Sequence, residues 1–391
     1  MSDMIIAKKN ILKIINSVEI IDIHTHLFPQ NHSNFFLSGA DEIFNYHYLT
    51  AEYLSSSKYS AISFFKHSKQ KRAALVWEYL FVKNTPISEA SIGVIKIFKF
   101  LKINDYKNKD YFFIRKKLKI KTEDHQLILK KLNIKKVVMT NNPFNKEEWC
   151  LFKKKNWNRK FYKSSIRLDD LFTKKFKNKF TQKTLKKFIN DKYLEAKPSY
   201  FALSLNGDNI MDFFNSNYMT KTIIPFLVKK KLPLMLLVGV KRSINPSFKG
   251  GGDGIGNENT DLLEKVIKKY KNLNFLVTHL SDNSQYRLTV LSRKLPNLTL
   301  FGFWWFLNQD SYVKNYLPIK ISLLGFNFIA QHSDARVFEH LIYKWSDFKE
   351  NLADVMLEKY QKLYSAGYNI DNNEIKNDMN LLLNKNPNKF L

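Results

Sequence analysis

The stretch Ile20-Ile21-Asp22-Ile23-His24-Thr25-His26-Leu27 is a short apolar run that ends in two histidines one residue apart. In a β-strand, residues i and i+2 face the same side, so His24 and His26 project together from the strand's C-terminal end. Asp22 keeps the same parity one step deeper. A strand finishing in His-x-His is a common start to a mononuclear metal site at the mouth of a parallel barrel. Taken alone, the pair favours metal binding over the mere surface of a half-exposed strand, and the rest of the chain decides between the two.

That rest has a rhythm. After Phe28-Pro29 a polar loop runs to Gly39, and from Ala40 to about Leu132 the pattern is helical. Asp41 is placed to cap a helix through Tyr46-His47-Tyr48; residues 73–81 form another helix, and residues 87–101 a third, opened by Pro86-Ile87-Ser88. The next strand comes only near Val137, so residues 30–133 read as a large helical insertion. Short apolar runs then end in polar residues, each followed by a helical segment: 136–140, 165–169, 200–204, 234–239, 274–278, 298–303 and 326–331. With the opening strand these make eight, which predicts an α/β fold, a single (β/α)8 barrel spanning 1–391. Residues 346–391 read as a helical extension outside the barrel, with a frayed, Asn- and Lys-rich end.

Composition narrows the class. At 391 residues the chain fits one large barrel with insertions or two ordinary domains. Its one cysteine, Cys150, excludes an internal disulfide, suits a reducing compartment and reads as a partly buried bystander. The N-terminus lacks the apolar core of a signal peptide, and no stretch approaches the length of a membrane span, so the expectation is a cytoplasmic protein without membrane contact. The net charge of +29 invites a nucleic-acid partner, but the excess is nearly all lysine, spread along the whole chain. The runs Arg115 to Lys121, Lys153 to Lys155 and Lys174 to Lys179 read as solvated helix faces, and no nucleic-acid partner is expected. Assembly with copies of itself stays open.

The chemistry follows from barrel closure. Strand eight lies beside strand one, which brings Asp334 to His24 and His26. Two imidazoles and a carboxylate leave one open position, the arrangement of catalytic zinc, so one divalent ion is expected, with zinc first among candidates. Without closure Asp334 is a helix cap. Arginine is rare here, and Arg167, Arg242 and Arg336 all fall near strand ends; guanidinium forks suit a carboxylate or phosphate, unless each pairs with a nearby acid such as Asp169. His47 could move protons and Tyr48 could hydrogen-bond a substrate oxygen, though an aromatic run on a helix is more often core packing. Trp304 and Trp305 read either as barrel filling or as a flat wall against a sugar ring. Residues 250–254, the glycine-rich stretch, lack a phosphate-loop ending and read as a flexible loop over the mouth.

Together, His24-Thr25-His26-Leu27-Phe28-Pro29, the Tyr46-His47-Tyr48 helix, Arg167, the turn at Lys241-Arg242, the segment from Phe303 through Trp304-Trp305 to Phe306, and Ser333-Asp334-Ala335-Arg336 resemble the uronate isomerases of the amidohydrolase superfamily. The resemblance spans about Ile20 to Trp345. It implies a barrel of the metal-dependent hydrolase type with His24, His26 and Asp334 on the metal. It implies a substrate site lined by His47, Tyr48, Arg167, Arg242, Arg336 and one tryptophan of the Trp304-Trp305 pair. The implied reaction interconverts an aldose uronate, such as glucuronate, and its ketose through an enediolate, with Asp334 and His47 as alternative bases. The runner-up is a metal-dependent hydrolase or lyase acting on a similar acidic sugar. The chain departs from the family at Leu237, where a histidine is common, at Asn141-Asn142, where acids are usual, and at Asp208, a weak match for the family's aspartate after strand four. His279 on strand six is the candidate to compensate as a substrate contact.

Overall fold

The computed structural model describes residues 2–119, 122–154, 156–173, 175–176 and 179–391. Seven strands are hydrogen-bonded in chain order: β1 (Ile20–Thr25), β2 (Ile134–Asn141), β3 (Tyr162–Arg167), β4 (Phe201–Leu205), β5 (Leu234–Val238), β6 (Phe275–His279) and β7 (Leu298–Leu300). Every pairing among them is parallel.

The eighth stave is an extended segment. Phe301 pairs with Ile329 through a single parallel bridge, and Ile329 N donates to Leu300 O at 2.9 Å. On its other side the segment reaches β1: Asp334 N donates to His24 O at 3.1 Å, and His26 N donates to Ala335 O at 2.8 Å. The cylinder therefore closes into a (β/α)8 barrel. The segment forms no longer ladder because its N–H groups are taken by side chains. His332 N donates to Gln331 Oε1, Ser333 N to Asp22 Oδ1 and Ala335 N to Ser333 Oγ.

Period-two alternation sorts side chains between two cores. On β5, Leu234, Leu236 and Val238 pack against the helix layer, while Met235 and Leu237 face the interior with Ile23, Val138, Ala202, Leu276 and Phe301. β1 breaks the alternation. Asp22 pairs with Val137 but Thr25 with Met139, three steps against two, so a bulge lies between them. Asp22 therefore does not share the side of His24; its carboxylate accepts from Ser333 N and from Trp345 Nε1.

The chain between β1 and β2 is helical, with two corrections to expectation. Asp41 caps nothing: helix Ala40–Phe44 begins after Gly39, and the Asp41 carboxylate accepts from Tyr111 Oη at 2.5 Å and from Arg115 Nε. The helix also stops at Asn45, and a new one, His47–Ser57, starts at His47. Helix Glu89–Phe100 begins at its Ser88 cap, whose hydroxyl accepts from Ser91 N.

Helix His340–Ser365 carries buried Trp345. The end of the chain is packed, not frayed: Leu382 and Leu383 are buried, and Asn386 Nδ2 donates to Phe326 O and Phe328 O. Cys150 is exposed rather than partly buried. Of the lysine runs, Lys121, Lys155, Lys174 and Lys177 lie outside the described residues. Lys175 and Lys179 are exposed in turns, not on a helix. Among the described residues no helix is long and apolar enough to cross a membrane.

Candidate active site

The C-terminal ends of the strands surround a pocket of about 160 Å³. On one wall His24 and His26 leave β1 and face Asp334, which follows the eighth segment. His24 Nε2 stands 3.5 Å and His26 Nε2 3.4 Å from the same oxygen, Asp334 Oδ1. Among the described residues that buried oxygen has no hydrogen-bond partner. These separations are long for hydrogen bonds. They match the roughly 3.3–3.6 Å edges of a tetrahedron whose N and O donors lie about 2.0–2.2 Å from a central ion. The donor set thus fits one divalent metal.

The surroundings hold the set in its ligating form. Thr140 Oγ1 donates to Thr25 O at 2.9 Å and lies 3.4 Å from His24 Nδ1, so the far nitrogen of His24 is met from behind and Nε2 is left for the pocket. Burial, with the Arg336 charge nearby, pushes His26 down to about 3, so it is neutral at pH 7. Burial alone would raise the Asp334 carboxyl, but the two imidazoles facing it hold it well below the usual carboxylate range. Asp334 sits at φ 50°, a left-handed conformation uncommon outside glycine.

Three arginines line the pocket, and two are already paired. Arg167 Nε donates to Asp169 Oδ2 at 3.1 Å, and Arg242 Nη1 to Asp253 Oδ2 at 2.6 Å. Arg336 is exposed and has no hydrogen bond or ion pair among the described residues. Asp253 belongs to the glycine-rich loop, which rests on helix His47–Ser57: a side chain at Gly251 would come within 3.0 Å of His47 O.

His47 lines the pocket, and burial followed by Arg336 pushes it down to about 3. Tyr48 does not line it. Its ring lies parallel to Trp305, with centroids 6.4 Å apart, and it faces an adjoining cleft of about 360 Å³ that shares His47, Asp253 and Trp305 with the pocket. Trp304 and Trp305 both form pocket wall.

Several singled-out residues lie elsewhere. His279 is buried outside the pocket lining. Its Nδ1 is met by Ser281 N and Ser284 Oγ, and its Nε2 by Glu258 O, so no nitrogen is left for a ligand. Asp208 is exposed and holds Asn257 Nδ2. Asn142 N donates to Glu148 Oε1 and Asn142 Nδ2 to Asp170 Oδ2, so Asn141-Asn142 marks a strand-end brace. Leu237 and Ser204 stand where β5 and β4 enter the pocket and offer no imidazole or carboxylate. Sequence reasoning missed His332, fully buried beside His24 with ring centroids 5.5 Å apart. Its place next to Asp334 was the available signal.

Fold and site define a class: a (β/α)8 barrel with a His-His-Asp cluster at its C-terminal mouth. No protein-family model matches the chain, and no curated protein matches it. Among solved structures it is similar to a uronate isomerase from Bacillus halodurans, with 32% identity over 99% of this chain and 96% of that one and a TM-score of 0.92. A uronate isomerase from Thermotoga maritima (14% identity, 98% and 97% covered, TM-score 0.77) and a glucuronate isomerase from Caulobacter crescentus (14%, 98% and 93%, 0.76) share the fold. The chain belongs to the uronate isomerase family.

Proposed function

We propose that this enzyme interconverts an aldose uronate, glucuronate being the first choice, and the corresponding ketose, fructuronate. The observation that carries this reading is Arg336: a guanidinium without a partner among the described residues, two residues from Asp334 and in the same small pocket as both imidazoles. A monosaccharide with a carboxylate at one end and a carbonyl at the other can span those groups. Membership of the uronate isomerase family supports it. The missing ligands at Ser204 and Leu237 weigh against a two-metal hydrolase.

His24 Nε2, His26 Nε2 and Asp334 Oδ1 would hold one divalent ion, with zinc as first choice. When bound, such an ion polarises substrate oxygens as a Lewis acid. Arg336 takes the substrate carboxylate as a two-pronged partner. Arg167 and Arg242, neutralised by Asp169 and Asp253, form a polar wall, and Trp304 and Trp305, their rings tilted by 50° to each other, supply an apolar wall that limits water. At neutral pH Asp334 is ionised and His47 is neutral with one nitrogen free to accept, so either can take the C2 hydrogen as a proton. The C–H electron pair becomes the C1–C2 double bond, and O1 gains charge and then a proton. That proton comes from O2; as it moves to O1, C2 becomes the carbonyl and the base returns its own proton to C1. Tyr48 acts behind this site, backing Trp305.

Proton NMR of metal-loaded protein with glucuronate in deuterated water tests the proposal. Ketose formation or deuterium exchange at the carbon next to the carbonyl is the expected result. No change with a panel of uronates, together with turnover of lactones or amides, would replace it with the hydrolase reading.

A further inference from the structure

We propose that Asp22 is a positioning residue for the metal ligand Asp334; this rests on the metal reading above. Asp22 is fully buried in β1 and lies outside the pocket lining, so it does not touch substrate. Its two carboxylate oxygens have separate partners. Oδ1 accepts from Ser333 N at 3.1 Å, and Oδ2 accepts from the indole Nε1 of Trp345 at 2.9 Å. Ser333 directly precedes Asp334, and Trp345 belongs to the helix that follows it.

The bulge between Asp22 and Thr25 makes this possible. It lets one short strand send His24 into the pocket and the Asp22 carboxylate to the turn and the helix. The turn needs such a hold. Asp334 is at φ 50°, a left-handed conformation that strains a residue with a Cβ and persists only where neighbours enforce it. Three other contacts help: Asp334 N to His24 O, His26 N to Ala335 O, and Ala335 N to Ser333 Oγ. Asp22 is the β1 side chain in this set, and it ties the turn to the helix layer as well as to the strand.

An amide in place of the carboxylate keeps the shape but turns an NH2 toward one of the two donors. Asp22→Asn should therefore bind zinc about 10–100-fold more weakly in a chelator competition, the range typical of groups that orient metal ligands. Its cobalt-loaded form should show a changed visible spectrum. Trp345→Phe removes the indole donor and leaves Ser333 N in place; it should weaken zinc binding by several-fold and serves if Asp22→Asn does not fold. Wild-type zinc binding with affinity and cobalt spectrum unchanged in both folded variants, or in Trp345→Phe alone if Asp22→Asn does not fold, would overturn the proposal and leave the metal site standing. A wild type that binds neither ion would overturn the metal reading and this proposal with it.

Discussion

Asp334 and His24 meet twice across the closure of the barrel. The backbone N–H of Asp334 donates to His24 O at 3.1 Å, and its side-chain Oδ1 lies 3.5 Å from His24 Nε2. Backbone pairing and ligand geometry are thus one arrangement. Replacing a ligand should empty the site without unfolding the barrel. His26→Ala, at a partly exposed position, should lose its ion, with bound metal per chain falling from about one to near zero in elemental analysis.

Gly302 lies at φ 60°, and a Cβ there would come within 2.0 Å of His332 Nδ1. Because His332 packs edge-on against His24, the clash reaches the metal wall. Gly302→Ala should cost about 2 kcal/mol or more in denaturant unfolding and weaken metal binding. Gly325, also at φ 59° but with nothing within 4 Å of its would-be Cβ, is the control. Its alanine variant should lose only the backbone strain, on the order of 1–3 kcal/mol, and keep wild-type metal binding.

Among the described residues Arg336 is the pocket arginine without a partner, so Arg336→Ala should leave thermal stability nearly unchanged. It should lower kcat/KM for a uronate by roughly 10–100-fold, the loss of a charged hydrogen-bonded contact of about 1.5–3 kcal/mol. Arg336→Lys keeps charge without the fork and should fall between. His47 is held down first by burial and then by Arg336, so the alanine variant should raise its pKa and move the acid limb of the pH–rate profile upward.

His32 tests the pH response away from the pocket. It is buried, with Nε2 unpartnered among the described residues, and burial pushes it down to about 4. The unfolded chain takes up this proton near pH 6.5, whereas the folded chain resists until about 4. The stability it preserves is therefore present above pH 6.5 and is lost as pH falls toward 4. Between pH 7 and 5, His32→Gln should lose about 1–2 kcal/mol less than wild type in urea unfolding. Parallel curves would contradict this.

The barrel was legible because apolar runs bounded by polar residues recur at barrel spacing, and because closure follows once eight are counted. His24, His26 and Asp334 could be placed together on that ground alone. The β1 bulge was not legible: strict alternation put Asp22 with the histidines, and a one-residue slip leaves no mark in composition. The end of the chain read as frayed because Asn and Lys dominate it, yet Asn386 earns its order from carbonyls at Phe326 and Phe328, far away in sequence.

The substrate wall was legible in part. Arg167 beside Asp169 was readable from two residues' spacing, whereas Arg242 finds Asp253 only through the folded loop. His279 looked available because a strand-end histidine resembles a ligand. Ser281, Ser284 and Glu258 occupy both its nitrogens, and burial of that kind is a tertiary property. Tyr48 sits in the first turn of a separate helix, His47–Ser57, and its ring lies parallel to Trp305 rather than lining the pocket, a placement that helical periodicity does not reveal.

Diffraction from zinc-soaked crystals, with data collected at the zinc absorption edge, tests the central claim most directly. The account predicts one strong anomalous peak about 2.0–2.2 Å from His24 Nε2, His26 Nε2 and Asp334 Oδ1. A peak elsewhere, or an Asp334 carboxylate turned away from both imidazoles, would contradict it.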